Sequence, residues 1–193
     1  NISFVVGSKG VAVIDTGGSL KVGNQLHAAI RKVTSLPILY VINTHVHPDH
    51  IYGNAAFTAD KPQFIGHAKL ADAMQLREEA YDKLNERYLG DDAKGSVIVK
   101  PTIKAPIELD LGDRILKVTP YATAHTNTDV TVVDASAKGD WSAVKVWYGP
   151  IHDIGQRAYP TYGFIYSGAK AVAAGAEAAS SKLLGYDNDA IKG

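Results

Sequence analysis

The run Asn43-Thr44-His45-Val46-His47-Pro48-Asp49-His50 sets three imidazoles and a carboxylate within residues 45–50. Packing offers no reason for such a density of ligand types, and the stretch reads as a metal site. In an extended His45-Val46-His47 segment the side chains alternate, so both imidazoles leave one side of the backbone while Val46 enters the core. Pro48 cannot continue a central strand and restricts the residue before it, so the chain turns and presents Asp49 and His50 from a loop. Two ligand pairs then face one space. Imidazole nitrogen and carboxylate oxygen are donors that zinc accepts at about 2.0 to 2.2 Å, with iron or manganese also admissible. The chain has no cysteine, so thiolate ligands, disulfides and iron–sulfur clusters are excluded and any metal must rest on His, Asp or Glu.

Composition narrows the partners. The 193 residues, 46% hydrophobic and 21% charged, have ordinary globular character and enough length for one domain over residues 1–193. Twenty Lys and Arg balance twenty Asp and Glu, which leaves no net field to hold a polyanion or an anionic membrane. A small-molecule substrate is expected, not nucleic acid. No apolar run approaches the length of a membrane span, so a soluble chain is expected. It begins without Met and in mid-strand, which suggests an upstream segment or signal peptide that was processed or trimmed.

The elements that must position the site follow from periodicity. Residues 2–6 and 11–14 are β-rich runs separated by Gly7-Ser8-Lys9-Gly10, the composition of a tight antiparallel connection. Asp15, ending the second strand, can accept hydrogen bonds from the metal-loop backbone or a ligand imidazole. Ser19 can cap a helix with Leu26, Ile30 and Val33 on one buried stripe, His27 being a surface histidine on its flank. Residues 38–42 form a nearly continuous apolar strand, buried on both faces, that ends at the metal loop. Asn54 to Phe57 reads as a helical turn, residues 63–66 as a strand, and His67 as a helix-entry histidine. From Lys69 a helix carries Leu70, Ala73, Met74, Tyr81, Leu84 and Tyr88 as its core face, its far end able to overhang the site. Asp91-Asp92 belongs to a solvated loop. A hairpin over 107–111 and 115–118 opens a second half of the sheet structure, and residues 120–129 lead past His125 to a strand over 130–133. Residues 141–148 supply one more strand, and the alanine-rich residues 167–185 a helix over the outer sheet. There is no repeat, no Gly-rich phosphate loop and no Gly-x-Ser-x-Gly motif.

The phrase HVHPDH, with its approach LYVINTH (residues 39–45), the following Gly53-Asn54 and the upstream VIDTG (residues 13–17), resembles the metallo-β-lactamase fold superfamily. Among members the wording looks closest to periplasmic zinc hydrolases associated with quinoprotein and sulfur-oxidation systems. The resemblance implies an α+β fold, an αββα sandwich, with a second half that is shortened or incomplete beyond Asp134. It implies a binuclear centre: His45, His47 and His125 on one zinc ion, His125 standing in Thr-Ala-His-Thr where the family has Gly-x-His-Thr. Asp49, His50 and His152 would hold the second, with Asp140 of Gly139-Asp140 the candidate bridging carboxylate. Zinc lowers the pKa of bound water from near 16 to about 7, so hydroxide attack on an ester, lactone, thioester or β-lactam carbonyl needs no protein nucleophile. Asp49 would be the catalytic carboxylate that moves the proton. The resemblance leaves two rivals, an iron-dependent sulfur dioxygenase of the same fold and a degenerate metal-binding domain without turnover. It implies a periplasmic or secreted setting, with cytoplasmic as the alternative.

Overall fold

Strands that are apolar on both faces need cover on both sides, and this requirement sets the layering. The computed structural model describes residues 2–136 and the backbone of residues 144–147. Strands β1 (Ile2–Val6) and β2 (Val11–Ile14) pair antiparallel. Strands β3 (Ile38–Ile42), β4 (Gln63–Gly66) and β5 (Ile103–Lys104) add in parallel beyond β2. Strands β6 (Ile107–Asp110), β7 (Ile115–Pro120) and β8 (Val130–Asp134) make a separate antiparallel sheet. The strand expected within 141–148 is β9 (Val144–Trp147), which pairs antiparallel with β1 and completes the order β5-β4-β3-β2-β1-β9.

Alternation along the strands divides the core. Phe4, Val13 and Val41 turn to helix α1 (Leu20–Val33) and pack with Leu26, Ile30 and Phe57. Val5, Ala12, Ile42 and Ile65 turn the other way and meet Leu109, Leu116 and Val118 of the second sheet. Burying one such side chain contributes about 1.5 to 3 kcal/mol. Helix, sheet and sheet are thus stacked as the expected α+β sandwich requires. The helix foreseen over 167–185 lies outside the described residues.

The Ser19 hydroxyl accepts a hydrogen bond from the Val22 amide at 3.3 Å, so α1 starts where its cap was expected. Its buried stripe is shorter than expected: Leu26 and Ile30 are fully buried, but Val33 is 51% exposed because the helix ends there and Leu36 packs on the core instead. His27 is not a lone surface histidine, since a 3-10 turn (Asn54–Asp60) brings Asp60 to within 2.8 Å of its Nε2. Asp49 and His50, expected on a loop, instead stand in helix α2 (Pro48–Ile51), a single turn after His47 that begins on Pro48, whose fixed φ suits a first helical position. His67 enters helix α3 (Leu70–Leu89) as expected, its Nδ1 accepting from the Lys69 amide at 3.0 Å. Leu70, Ala73 and Met74 of α3 pack on Val46, Ile51 and Tyr52. Leu84 and Tyr88, expected in this core, are 40% and 48% exposed, because the far half of α3 runs past the loop it rests on. Asp91 and Asp92 lie in a solvated turn, ion-paired to Lys94 and Lys21. Among the described residues no helix is long and apolar enough to cross a membrane.

The metal loop reaches α1 through two glycines. A Cβ on Gly23 would lie 2.8 Å from Gly53 Cα, and one on Gly53 would strike the backbone of Thr16. Gly53→Ala is therefore expected to destabilise the fold by about 1 to 3 kcal/mol through overpacking. Urea unfolding should show a lower midpoint at unchanged slope, and a wild-type midpoint would count against this packing.

Candidate metal centre

The backbone of the site is fixed by bonds that leave the sheet. Strand β3 ends at Ile42 as expected, but the extended run foreseen for His45-Val46-His47 does not form, and residues 44–46 bend. The ladder gives way because Asp15 captures this part of the chain: its Oδ1 accepts from the Thr44 amide at 2.8 Å and its Oδ2 from Thr44 Oγ1 at 2.7 Å. The Thr44 carbonyl in turn accepts from the Val130 amide at 2.9 Å, which ties the loop to β8. Val46 still enters the core, at 1% exposure. Below the loop, the His50 carbonyl accepts from the Thr16 amide at 3.0 Å and from Asn43 Nδ2 at 3.1 Å. Asn54 Oδ1 accepts from Thr16 Oγ1 at 2.7 Å, and Asn54 Nδ2 donates to Asn43 Oδ1 at 2.7 Å. All three of these polar residues are fully buried. Such a network rigidifies its surroundings when every member is paired.

Three ring nitrogens converge above this base. His45 Nε2 and His125 Nε2 each lie 3.1 Å from His47 Nδ1. The three donor atoms all fall within 4.8 Å of one another, His45 buried and His125 exposed. Two nitrogens at about 2.05 Å from a tetrahedral zinc would stand about 3.3 Å apart, which the two pairs that share His47 match closely. The tautomer of His45 fits too. Thr44 Oγ1 gives its hydrogen to Asp15, so it accepts from His45 Nδ1 at 2.9 Å, and the lone pair is left on Nε2, facing the cluster. His125 is brought in by a loop that Asp129 pins, its carboxylate accepting from the Thr126 amide at 2.9 and 3.0 Å.

His50 stands apart from that set. Its Nδ1 donates to Asp15 Oδ2 at 2.7 Å and its Nε2 lies 3.3 Å from Asp49 Oδ2. Burial lowers its pKa, but the charge and hydrogen bond of Asp15, joined by Asp49, overcome this and raise it to about 9. Burial, then the neighbouring His50, push His45 down to about 4, and burial followed by His125 lowers His47. Desolvation works to raise the pKa of Asp49, yet the hydrogen bond and charge of His50 hold its carboxyl well below the usual range. Its side chain is 69% exposed.

Of the residues singled out in the sequence, His45, His47 and His125 share one point, and Asp49 and His50 form an adjacent pair joined to it by a 4.0 Å ring contact between His45 and His50. Asp140 and His152 lie outside the described residues. Sequence reasoning missed Asn43, Asn54, Thr16 and Asp129 as supports. The Thr126-x-x-Asp129 spacing was the only available signal for the last.

Residues 1–139 match the metallo-beta-lactamase superfamily. The chain belongs to that superfamily. A B3 metallo-beta-lactamase with an active-site glutamic acid superposes with a TM-score of 0.54 at 18% identity, over 72% of this chain and 52% of its own. The stereoselective inverting sec-alkylsulfatase Pisa1 from Pseudomonas sp. gives 0.55 at 16% identity, over 69% of this chain and 27% of its own. At these identities the likeness is one of fold. A linear primary-alkylsulfatase from Pseudomonas sp. (strain ATCC 19151) is 34% identical over 62 residues, 32% of this chain and 12% of the relative. The chain thus spans about half or less of each of these three proteins.

Within this metallo-β-lactamase frame, Asp15 orients His45 through Thr44 and His50 directly. Loss of such an outer partner typically weakens metal binding by about 10- to 100-fold. Asp15→Asn, which tolerates the same φ of 59°, is expected to show that loss in a chelator competition. His45→Ala should retain no metal after dialysis. Full metal content in His45→Ala would end the reading of this cluster as the centre.

Proposed function

We propose that this superfamily member is a zinc-dependent hydrolase of ester, lactone, thioester or β-lactam carbonyls. The 62-residue kinship with an alkylsulfatase adds sulfate esters to that class. The observation that carries the reading is the convergence of His45 Nε2, His47 Nδ1 and His125 Nε2 on one point with an exposed side. Zinc held there would supply a Lewis acid and lower the pKa of a coordinated water from about 16 to about 7.

The residues around it divide the remaining work. Asp49, ionised and exposed, is placed to accept a proton from the attacking water at a carboxylate oxygen and to return it to the leaving group. His50 keeps Asp49 ionised and is itself aimed by Asp15. We assign Asp49, His50 and His152 to a second, weaker metal position, with Asp140 as its bridging carboxylate.

Two measurements test this. Asp49→Asn should lower turnover of a nitrophenyl ester by about 100-fold or more, the usual contribution of a positioned acid–base group. The thermal midpoint of protein carrying only the three-histidine ion should barely move, because the side chain is exposed. Wild-type turnover in that variant would sink the assignment of Asp49.

The pH dependence follows from competition between protons and metal for the same lone pairs. The lowered pKa of His45, about 4, keeps its imidazole neutral and available well below pH 6.5, and burial and His125 shift His47 in the same direction. The raised pKa of His50, about 9, means that a proton must be displaced there at any lower pH. Affinity at the second position should therefore fall about tenfold per pH unit below 9, while the three-histidine position holds its ion. A titration of apo protein at pH 8 and pH 6 should give two ions per chain, then one. Two equally tight sites at pH 6 would show the second position to be misassigned.

A further inference from the structure

Helix α3 lies over the metal loop and carries one charge on the face it turns to it. At about 100° per residue, Leu70, Ala73, Met74, Arg77, Tyr81 and Asn85 fall within a stripe about 120° wide. The other members of the stripe can be followed to the loop. Leu70, Ala73 and Met74 pack with Val46, Ile51 and Tyr52, and Tyr81 packs against the same cluster. Asn85 Nδ2 donates to the Gly18 carbonyl at 3.2 Å, and a Cβ on Gly18 would lie 3.4 Å from Asp49 Cα. Beside the stripe, the Tyr52 hydroxyl donates to Asp82 at 2.7 Å. Arg77 sits between these anchors, half-buried, where its charge acts on both His47 and Tyr81. The charge of Asp49 reaches Tyr81 as well.

A guanidinium has five N–H donors in a planar fork. Arg77 Nη1 donates to the Ala73 carbonyl of its own helix at 3.2 Å. Among the described residues no carboxylate pairs with it. A half-buried cation beside a cluster built to collect another cation raises the local potential, and an anion entering the same space relieves both. The fork geometry suits a carboxylate or sulfate, held by parallel charge-assisted bonds.

We propose that Arg77, with the Tyr81 hydroxyl beside it, binds an oxyanion group of the substrate and so selects substrates that carry a carboxylate or sulfate close to the scissile bond. This rests on the hydrolase reading above for the word substrate, but the anion subsite can be tested without turnover.

The experiment is a calorimetric titration of the metal-loaded full chain with sodium sulfate at fixed ionic strength, on wild type, Arg77→Gln, Arg77→Lys and Arg87→Gln. Arg87 is exposed at the far end of α3, its guanidinium 5.6 Å from the Tyr88 ring, and serves as the control. Sulfate affinity should fall about tenfold or more in Arg77→Gln, the worth of a charge-assisted hydrogen bond, and stay unchanged in Arg87→Gln. Arg77→Lys, which keeps the charge without the fork, should recover part of it. Alongside, the ratio of kcat/KM for a carboxylate-bearing phenyl ester to that for its uncharged analogue should drop in Arg77→Gln and hold in Arg87→Gln. Wild-type sulfate affinity in Arg77→Gln would place the anion on the metal alone and overturn the proposal, as would equal losses in both glutamine variants. Absence of turnover on every ester, with the sulfate loss confined to Arg77, would strike the hydrolase reading and leave the anion subsite standing.

Discussion

A carboxylate whose side chain is 3% exposed can be kept in a protein interior only if its oxygens are filled, and Asp15 fills them with groups of the metal loop. Oδ1 takes the Thr44 amide, while Oδ2 takes the Thr44 hydroxyl and His50 Nδ1. Both ends of the ligand run are thereby tied to one atom group at the end of β2. The backbone bends to allow it: Asp15 has φ 59° and Gly17 φ 97°. Aspartate is among the few residues that enter the left-handed region at small cost, and glycine enters it at none. The Val-Ile-Asp-Thr-Gly phrase has its physical meaning here, as a strand end that turns a carboxylate back under the neighbouring loop.

The same carboxylate meets two kinds of imidazole in the loop. Through the Thr44 hydroxyl it takes only the Nδ1 hydrogen of His45, whose burial then keeps the ring neutral. On His50 it acts directly, as an anion 2.7 Å away, and keeps a proton on the ring. Two residues five positions apart in the chain thus have opposite proton affinities: at His50 the charge of Asp15 prevails over burial, while at His45 burial and the neighbouring His50 prevail over Asp15. The ligand run has a neutral, metal-ready part and a part in which metal and proton compete.

How much of this was legible depended on whether the cause was local. The ligand run was legible because neither core packing nor a solvated loop calls for imidazoles and a carboxylate at so short a spacing. Strands β4, β6 and β7 were legible because turn residues bound them. The fold's first three layers follow from such elements. What escaped was set by distant partners. The Asn43, Asn54 and Thr16 network joins residues up to 38 positions apart, and nothing local marks a buried asparagine as one side of it. The bend at residues 44–46 depends on Asp15, 29 positions before Thr44. Leu84 and Tyr88 keep the right period on α3 yet stay exposed, since periodicity fixes a face but not where the supporting surface ends. Legibility of Asp140 and His152 rests on resemblance alone, because both lie outside the described residues.

The loop is held differently from its two sides. Below, β2, β3 and the turn after α2 grip it with directional hydrogen bonds from Asp15, Asn43 and Thr16, and these fix where each ring nitrogen points. Above, α3 rests on Val46, Ile51 and Tyr52 mainly through apolar contact, which is non-directional and tolerates rearrangement, with the Tyr52 hydroxyl bond to Asp82 standing away from the ring nitrogens. A change below alters how the ion is held, since each bond sets a ligand's tautomer or angle. A change above, at positions such as 77 or 81, alters what lies over the ion while leaving those bonds in place. The architecture thus separates the problem of holding a metal from that of choosing what approaches it, and puts the second on the face of one helix.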